Sequence, residues 1–170
     1  MSLLNENYNW YPVYTHPRAE KKISTLLSKQ KIEHFLPLVK TLKQWSDRKK
    51  WIDEPLLKSY LFVKISNKEY QQVIETKGIV KFIYFSGKIA SILDSEIEMI
   101  KNYLSNEFQP EVIYHQLEKG QKVKIIEGKL KGYEAELVSW KNKKKIILRL
   151  DALGQSILLN IQAGYIEPAK

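Results

Sequence analysis

The stretch EKGQKVKIIEGKLKGYEAELV, residues 118–138, sets glycines at 120, 128 and 132 among lysines, with apolar residues alternating between them. The glycines recur too regularly for a flexible linker, and the charges are too many for a core strand. Val123 and Ile125 point to one side of a strand, and Lys122, Lys124 and Ile126 to the other. Gly128, after Glu127, suits the positive φ of a tight turn between two strands, and Leu130 then tucks back into the core. Gly132 bends the chain sharply into the next strand and turns Ala135 and Leu137 inward. A small β-barrel uses glycine in this way.

Outward from this stretch, only short strands are expected beyond Leu117: 122–126, 135–140, 145–150 and 157–161, separated by turn signals. Upstream, EFQPEVIYHQ has a proline and no helical period, and it reads as a linker over 107–116. Before it the pattern is mixed. Trp10–Tyr14 is an aromatic-rich strand, although Pro12 removes a ladder donor. Ala19, Ile23, Leu26 and Leu27 share one face of a helix whose first turn suits Pro17. Residues 32–39 read as a strand that contains or ends at Pro37, followed by a basic hairpin and a buried strand over 59–65. A second helix with Asn67 as N-cap ends at Gly78, and 79–85 is another strand. Ser95 and Glu98 have capping-box spacing for a third helix running to about Asn106. The expected fold is α+β: an antiparallel sheet flanked by helices over 8–106, then a small SH3-like β-barrel of five strands over 117–170.

The chain has 170 residues with 44% hydrophobic content, enough for a real core. No apolar run approaches the length needed to span a bilayer, and the N-terminus lacks a signal-peptide pattern. There are no cysteines, so neither disulfides nor zinc–thiolate sites can form. A cytoplasmic protein is expected. The net charge is +9, from 28 Lys and Arg against 19 Asp and Glu, which suits a polyanionic partner as well as a solvated lysine-rich surface. His16, His34 and His115 lack metal-ligand spacing, and no phosphate-binding glycine loop is present. No cofactor, metal or catalytic residue is expected, and the chain reads as a binding protein rather than an enzyme.

The spacing of Gly120, Val123, Ile125, Gly128, Leu130 and Gly132, continued by Ala135 and Leu137, resembles the KOW motif of ribosomal proteins and of the NusG family. WYPVYTHPRAEKKISTLL resembles the opening of a NusG N-terminal domain, and DEPLLKSYLFVKI the family strand that usually contains Pro-Gly-Tyr. The resemblance covers about residues 9–168. Lys58-Ser59 stands where that family usually has Pro-Gly, and the first strand carries Pro12. EPLLKSYLFV and QWSDRKKW are more similar to the specialised RfaH-like and UpxY-like antiterminators than to the housekeeping factor.

The resemblance implies a bacterial, monomeric transcription elongation factor or antiterminator that binds RNA polymerase and suppresses pausing or termination. The alternative is a translation-linked KOW protein that binds ribosomal RNA. Period-2 geometry puts Trp10, Pro12 and Tyr14 on one strand face, and Tyr60 and Phe62 on one face of theirs. If these strands are neighbours they form one patch with Leu57 at its edge, or else plain core beneath the helices. In the resembling family the corresponding positions form a hydrophobic pocket for the clamp helices of RNA polymerase. WSDRKKW places Arg48, Lys49 and Lys50 at a hairpin tip, and a three-residue turn would set Trp45 opposite Trp51. The resemblance directs this tip toward upstream duplex or non-template DNA, with Arg18, Lys22 and Lys77 extending the surface. Lys141, Lys143, Lys144 and Lys145 give the second domain a basic edge, or simply a soluble turn. A ribosomal protein, the termination factor Rho or RNA are the partners the family offers for it.

Overall fold

The computed structural model describes residues 4, 6–105, 110–113, 120–141 and 143–169. His115, the linker ends at 107–109 and 114–116, and Leu117 lie outside the described residues. The expected fold class is observed: a mixed α/β chain with antiparallel sheets, few helices and a β-rich C-terminal part. No helix among the described residues is long and apolar enough to cross a membrane. Two compact units divide the chain, Met1–Asp94 and Ser95–Lys170.

In the first unit β1 (Asn9–Thr15) leads to α1 (Glu20–Lys29), β2 (Glu33–Phe35), β3 (Leu38–Gln44), β4 (Lys49–Pro55) and β5 (Tyr60–Ile65). Then come α2 (Tyr70–Ile74), β6 (Ile79–Phe82), β7 (Tyr84–Phe85) and β8 (Lys88–Ile89). Four strands form an antiparallel sheet in the order β2-β5-β1-β6. Alternation sends Tyr11, Val13, Leu61, Val63 and Ile65 to one face, where they join Ile23 and Leu27 of α1, Val73 of α2 and Phe82 in one core. Two strands expected as continuous are broken. Residues 32–39 divide at Leu36-Pro37 because proline cannot continue a ladder. Residues 79–85 divide at Ile83, and Pro12 accounts for it. The Pro12 carbonyl accepts from the Ile83 N–H (3.3 Å), but Pro12 has no N–H to return, and the Ile83 carbonyl accepts from Ala90 instead (2.9 Å).

Two helix starts differ from expectation. The N-cap before α2 is Ser66 rather than Asn67: its hydroxyl accepts from Lys68 N (3.3 Å), while the Glu69 carboxylate accepts from Ser66 N (3.0 Å). That capping box opens a short 3-10 turn, Asn67–Glu69, so α2 itself begins only at Tyr70. The third helix, α3 (Asp94–Leu104), already includes Ser95, so Ser95 does not cap it. Residues 95–104, which the sequence pattern groups with the first domain, fall in the second unit. There the Tyr103 hydroxyl accepts from Asn160 N at 2.8 Å.

The second unit continues with β9 (Glu111–Ile113), β10 (Gln121–Ile125), β11 (Glu134–Trp140), β12 (Lys143–Leu150), β13 (Gln155–Asn160) and β14 (Ile166–Pro168). They form one antiparallel sheet in the order β14-β10-β11-β12-β13-β9. Ile113, Val138, Ile147 and Leu158 pack as a core cluster. Beyond the five strands expected, β9, from the span expected as linker, adds an edge strand on β13.

Candidate functional site

The β1–β5 register pairs Trp10 with Lys64, Pro12 with Phe62 and Tyr14 with Tyr60, all on the sheet face opposite the α1–α2 core. Phe35 of β2 joins them, stacked on Phe62 at 6.2 Å. The expected alignment of aromatics on one face is therefore present. Exposure divides them. Trp10 is 2% exposed; its indole N–H donates to Asp94 Oδ1 (2.9 Å), and Lys64 Nζ lies 5.8 Å from its ring. Phe62 and Leu57 are fully buried. Tyr14 and Tyr60 remain half-buried, edge to face with ring centroids 5.4 Å apart. Such a pair presents apolar ring area with two hydroxyls at its rim.

Tyr60 is held by the loop before it. Ser59 adopts a left-handed backbone, φ +63°, and its N–H donates to a buried Glu20 carboxylate oxygen at 2.7 Å. Its carbonyl accepts from Thr15 N at 2.9 Å, which ties the loop to the end of β1. This is a conformation glycine enters freely, so Lys58-Ser59 departs in residue type but keeps a backbone that Pro-Gly would suit.

Arg18, Lys22 and Lys77 are exposed. Arg18 and Lys77 lie in connections that meet where His16 N donates to the Gly78 carbonyl (2.9 Å). A cleft lined by Arg18, Lys21, Lys43 and Lys58 joins the start of α1 to the base of the β3–β4 hairpin, with Glu20 and Glu54 also in its wall.

The hairpin differs from expectation in one respect that matters. Gln44 pairs with Lys49, and Trp45 N donates to Arg48 O (2.8 Å), so the loop is the two residues Ser46-Asp47. Trp51 consequently faces Leu42, not Trp45, and the two tryptophans lie on opposite faces. Arg48 stands at the turn with its guanidinium 6.0 Å from the Trp45 ring, while Lys49 and Lys50 lie in β4. All three are exposed.

In the second unit the KOW-like residues are structural. Val123 and Ile125 are buried on β10, and Leu130 is buried beyond the turn. Gly128 and Gly132 have φ of +81° and +93°, and Gly132 N closes the turn on Ile125 O at 2.8 Å. At Gly120 a Cβ would lie 1.8 Å from the Leu137 carbonyl oxygen, so only glycine fits. Lys141, Lys143 and Lys144 are exposed at the β11–β12 turn. Lys145 does not belong to that basic edge: it is buried and its ammonium pairs with Glu111 of β9 at 2.7 Å. His34 is tied to Ser24 Oγ (2.8 Å) and Ile32 O (2.9 Å).

Sequence reasoning passes over Tyr84 and Phe85, both more than half exposed on the β7–β8 hairpin. The signal for them is Ser86-Gly87 between Phe85 and Lys88, a two-residue turn that ends a strand.

A family model described as "Transcription termination factor nusG" matches residues 8–101, more than half of the chain. The solved structure described as "Domain interaction in Thermotoga maritima NusG" is 18% identical with a TM-score of 0.51, covering 96% of this chain and 98% of that one. Its likeness concerns the fold. A structure of an MjSpt4:Spt5 complex, conformation B, is 20% identical and covers 95% of this chain and 97% of that one, with a TM-score of 0.30, too low to bear on the fold.

Proposed function

Because the chain belongs to the NusG family of non-enzymatic transcription factors, we propose that it is an elongation factor of the antiterminator kind. It binds RNA polymerase through its N-terminal domain, residues 8–106, and suppresses pausing or termination. The observation that carries this reading is the half-buried Tyr14–Tyr60 pair on the sheet face turned away from α1 and α2. A clamp-helix coiled coil seated on that pair buries aromatic area and meets two hydroxyls at the edge. Trp10, Leu57 and Phe62 are buried, so the tyrosines rather than these three meet the partner first. Tighter binding to the closed clamp of the elongating enzyme than to the paused one shifts the population toward elongation.

Arg18, Lys22, Lys77, Arg48, Lys49 and Lys50 supply phosphate contacts to upstream or non-template DNA, adding affinity without sequence information. The KOW domain, residues 117–170, offers Lys141, Lys143 and Lys144 to a further partner: a ribosomal protein, Rho or RNA. The protein acts as a monomer in the bacterial cytoplasm. Affinity capture from an extract containing both machines tests the assignment. Retention of RNA polymerase core subunits is expected; retention of ribosomal subunits without polymerase overturns it in favour of a ribosomal-RNA-binding protein.

A further inference from the structure

We propose that the β3–β4 hairpin is a stacking platform for unpaired nucleic acid, with Trp51 on one face and Trp45 on the other receiving bases. The inference rests on the hairpin being a nucleic-acid contact, though not on polymerase binding.

Trp51 is 60% exposed and its cross-strand neighbour Leu42 is 45% exposed, so their contact leaves most of the indole in water. Trp45 is 46% exposed on the opposite face. The register forbids the two rings from packing on each other, so no tryptophan pair staples the hairpin; Trp45 has the Arg48 guanidinium 6.0 Å from its ring, and Trp51 faces Leu42. β3 and β4 pair only with each other among the described strands, and no residue of either strand is buried, so both faces of the hairpin are open.

Charge selects the occupant. From Trp45 to Trp51 the chain carries three cations, Arg48, Lys49 and Lys50, against the single carboxylate of Asp47. Among the described residues neither Lys49 nor Lys50 has an ion-pair partner, whereas Lys43, directly opposite Lys50, is held by Glu54 at 3.1 Å. Lys49 shares the Trp51 face; Arg48 and Lys50 share the Trp45 face. Each face thus offers an indole for a base and a cation for its phosphate. A duplex hides its base faces in its own stack and would meet these indoles with backbone alone. Only unpaired nucleotides use both groups.

Anisotropy titrations of the full-length protein against a labelled mixed-sequence DNA 12-mer test this, with the strand single, duplexed, or abasic throughout. The single strand is expected to bind tighter than the duplex. Trp51→Ala and Trp45→Ala should each weaken it roughly five- to hundredfold without changing the salt slope. The abasic strand should bind both variants and the parent alike. Trp51→Phe, which keeps a ring, should recover part of the loss, and far-ultraviolet circular dichroism checks that each variant is folded. Equal affinity for intact and abasic strands, preference for duplex, indifference to both alanine variants, or no binding to any strand would each overturn the proposal. The assay contains no polymerase, so its failure leaves the polymerase reading standing.

Discussion

Ser59 holds a left-handed backbone at φ +63°, a conformation that costs a residue with a Cβ about 1–2 kcal/mol. The buried Glu20 carboxylate on its N–H and Thr15 N on its carbonyl hold it there, one residue before the tyrosine that carries the proposed interface. Ser59→Gly is expected to keep or raise the urea unfolding midpoint. Ser59→Val, which adds a branched Cβ where left-handed backbone tolerates it least, should lower stability by about 1–2 kcal/mol. A valine variant as stable as the parent would show that the loop relaxes out of this conformation. The placement of Tyr14 and Tyr60 on one face is legible from alternation alone, because strand period 2 is geometric. The burial of Leu57 is not legible: it sits in a loop, where no period says what folds over it.

At the scale of the element, the hairpin shows how one residue in a turn changes chemistry. A three-residue turn would have put the tryptophans together; the two-residue turn Ser46-Asp47 puts them on opposite faces. The basic character of the tip survives either way, since it depends on composition. Replacing Arg48, Lys49 and Lys50 together with glutamine is expected to flatten the salt dependence of DNA binding, by roughly 0.7 to 0.9 in slope for each phosphate no longer neutralised. An unchanged slope in an oligonucleotide titration across salt would contradict a phosphate role for these residues. Lys145 departs from expectation for a different reason. Its lysine neighbours suggest a solvated turn, but its partner Glu111 lies on β9, far upstream in a stretch without periodic signal. A three-residue edge strand is too short to show alternation, so neither β9 nor the burial of Lys145 is visible locally.

For the whole molecule, sequence patterning separates a helix-bearing N-terminal part from a β-rich C-terminal part because hydrophobic period changes between them. Gly128 and Gly132 reinforce it. Their positive φ values fit turns of a sheet, and glycines there disfavour a helix by about 1 kcal/mol each relative to alanine. The two compact units divide between Asp94 and Ser95, within α3, and no change of period marks that point because α3 is amphipathic like the earlier helices. Family membership, carried by residues 8–101, then gives the chain a transcription role. In the proposed function the tyrosine face grips RNA polymerase and favours elongation. Single-round transcription through a defined pause, with the parent chain or Tyr60→Ala added at concentrations where the parent is bound to polymerase, tests it most directly. The parent is expected to shorten the pause, and the folded variant to need roughly thirtyfold more protein for the same effect, the loss of about 2 kcal/mol at an interface aromatic. Pauses left unchanged or lengthened by the bound parent, or shortened equally by Tyr60→Ala, would contradict it.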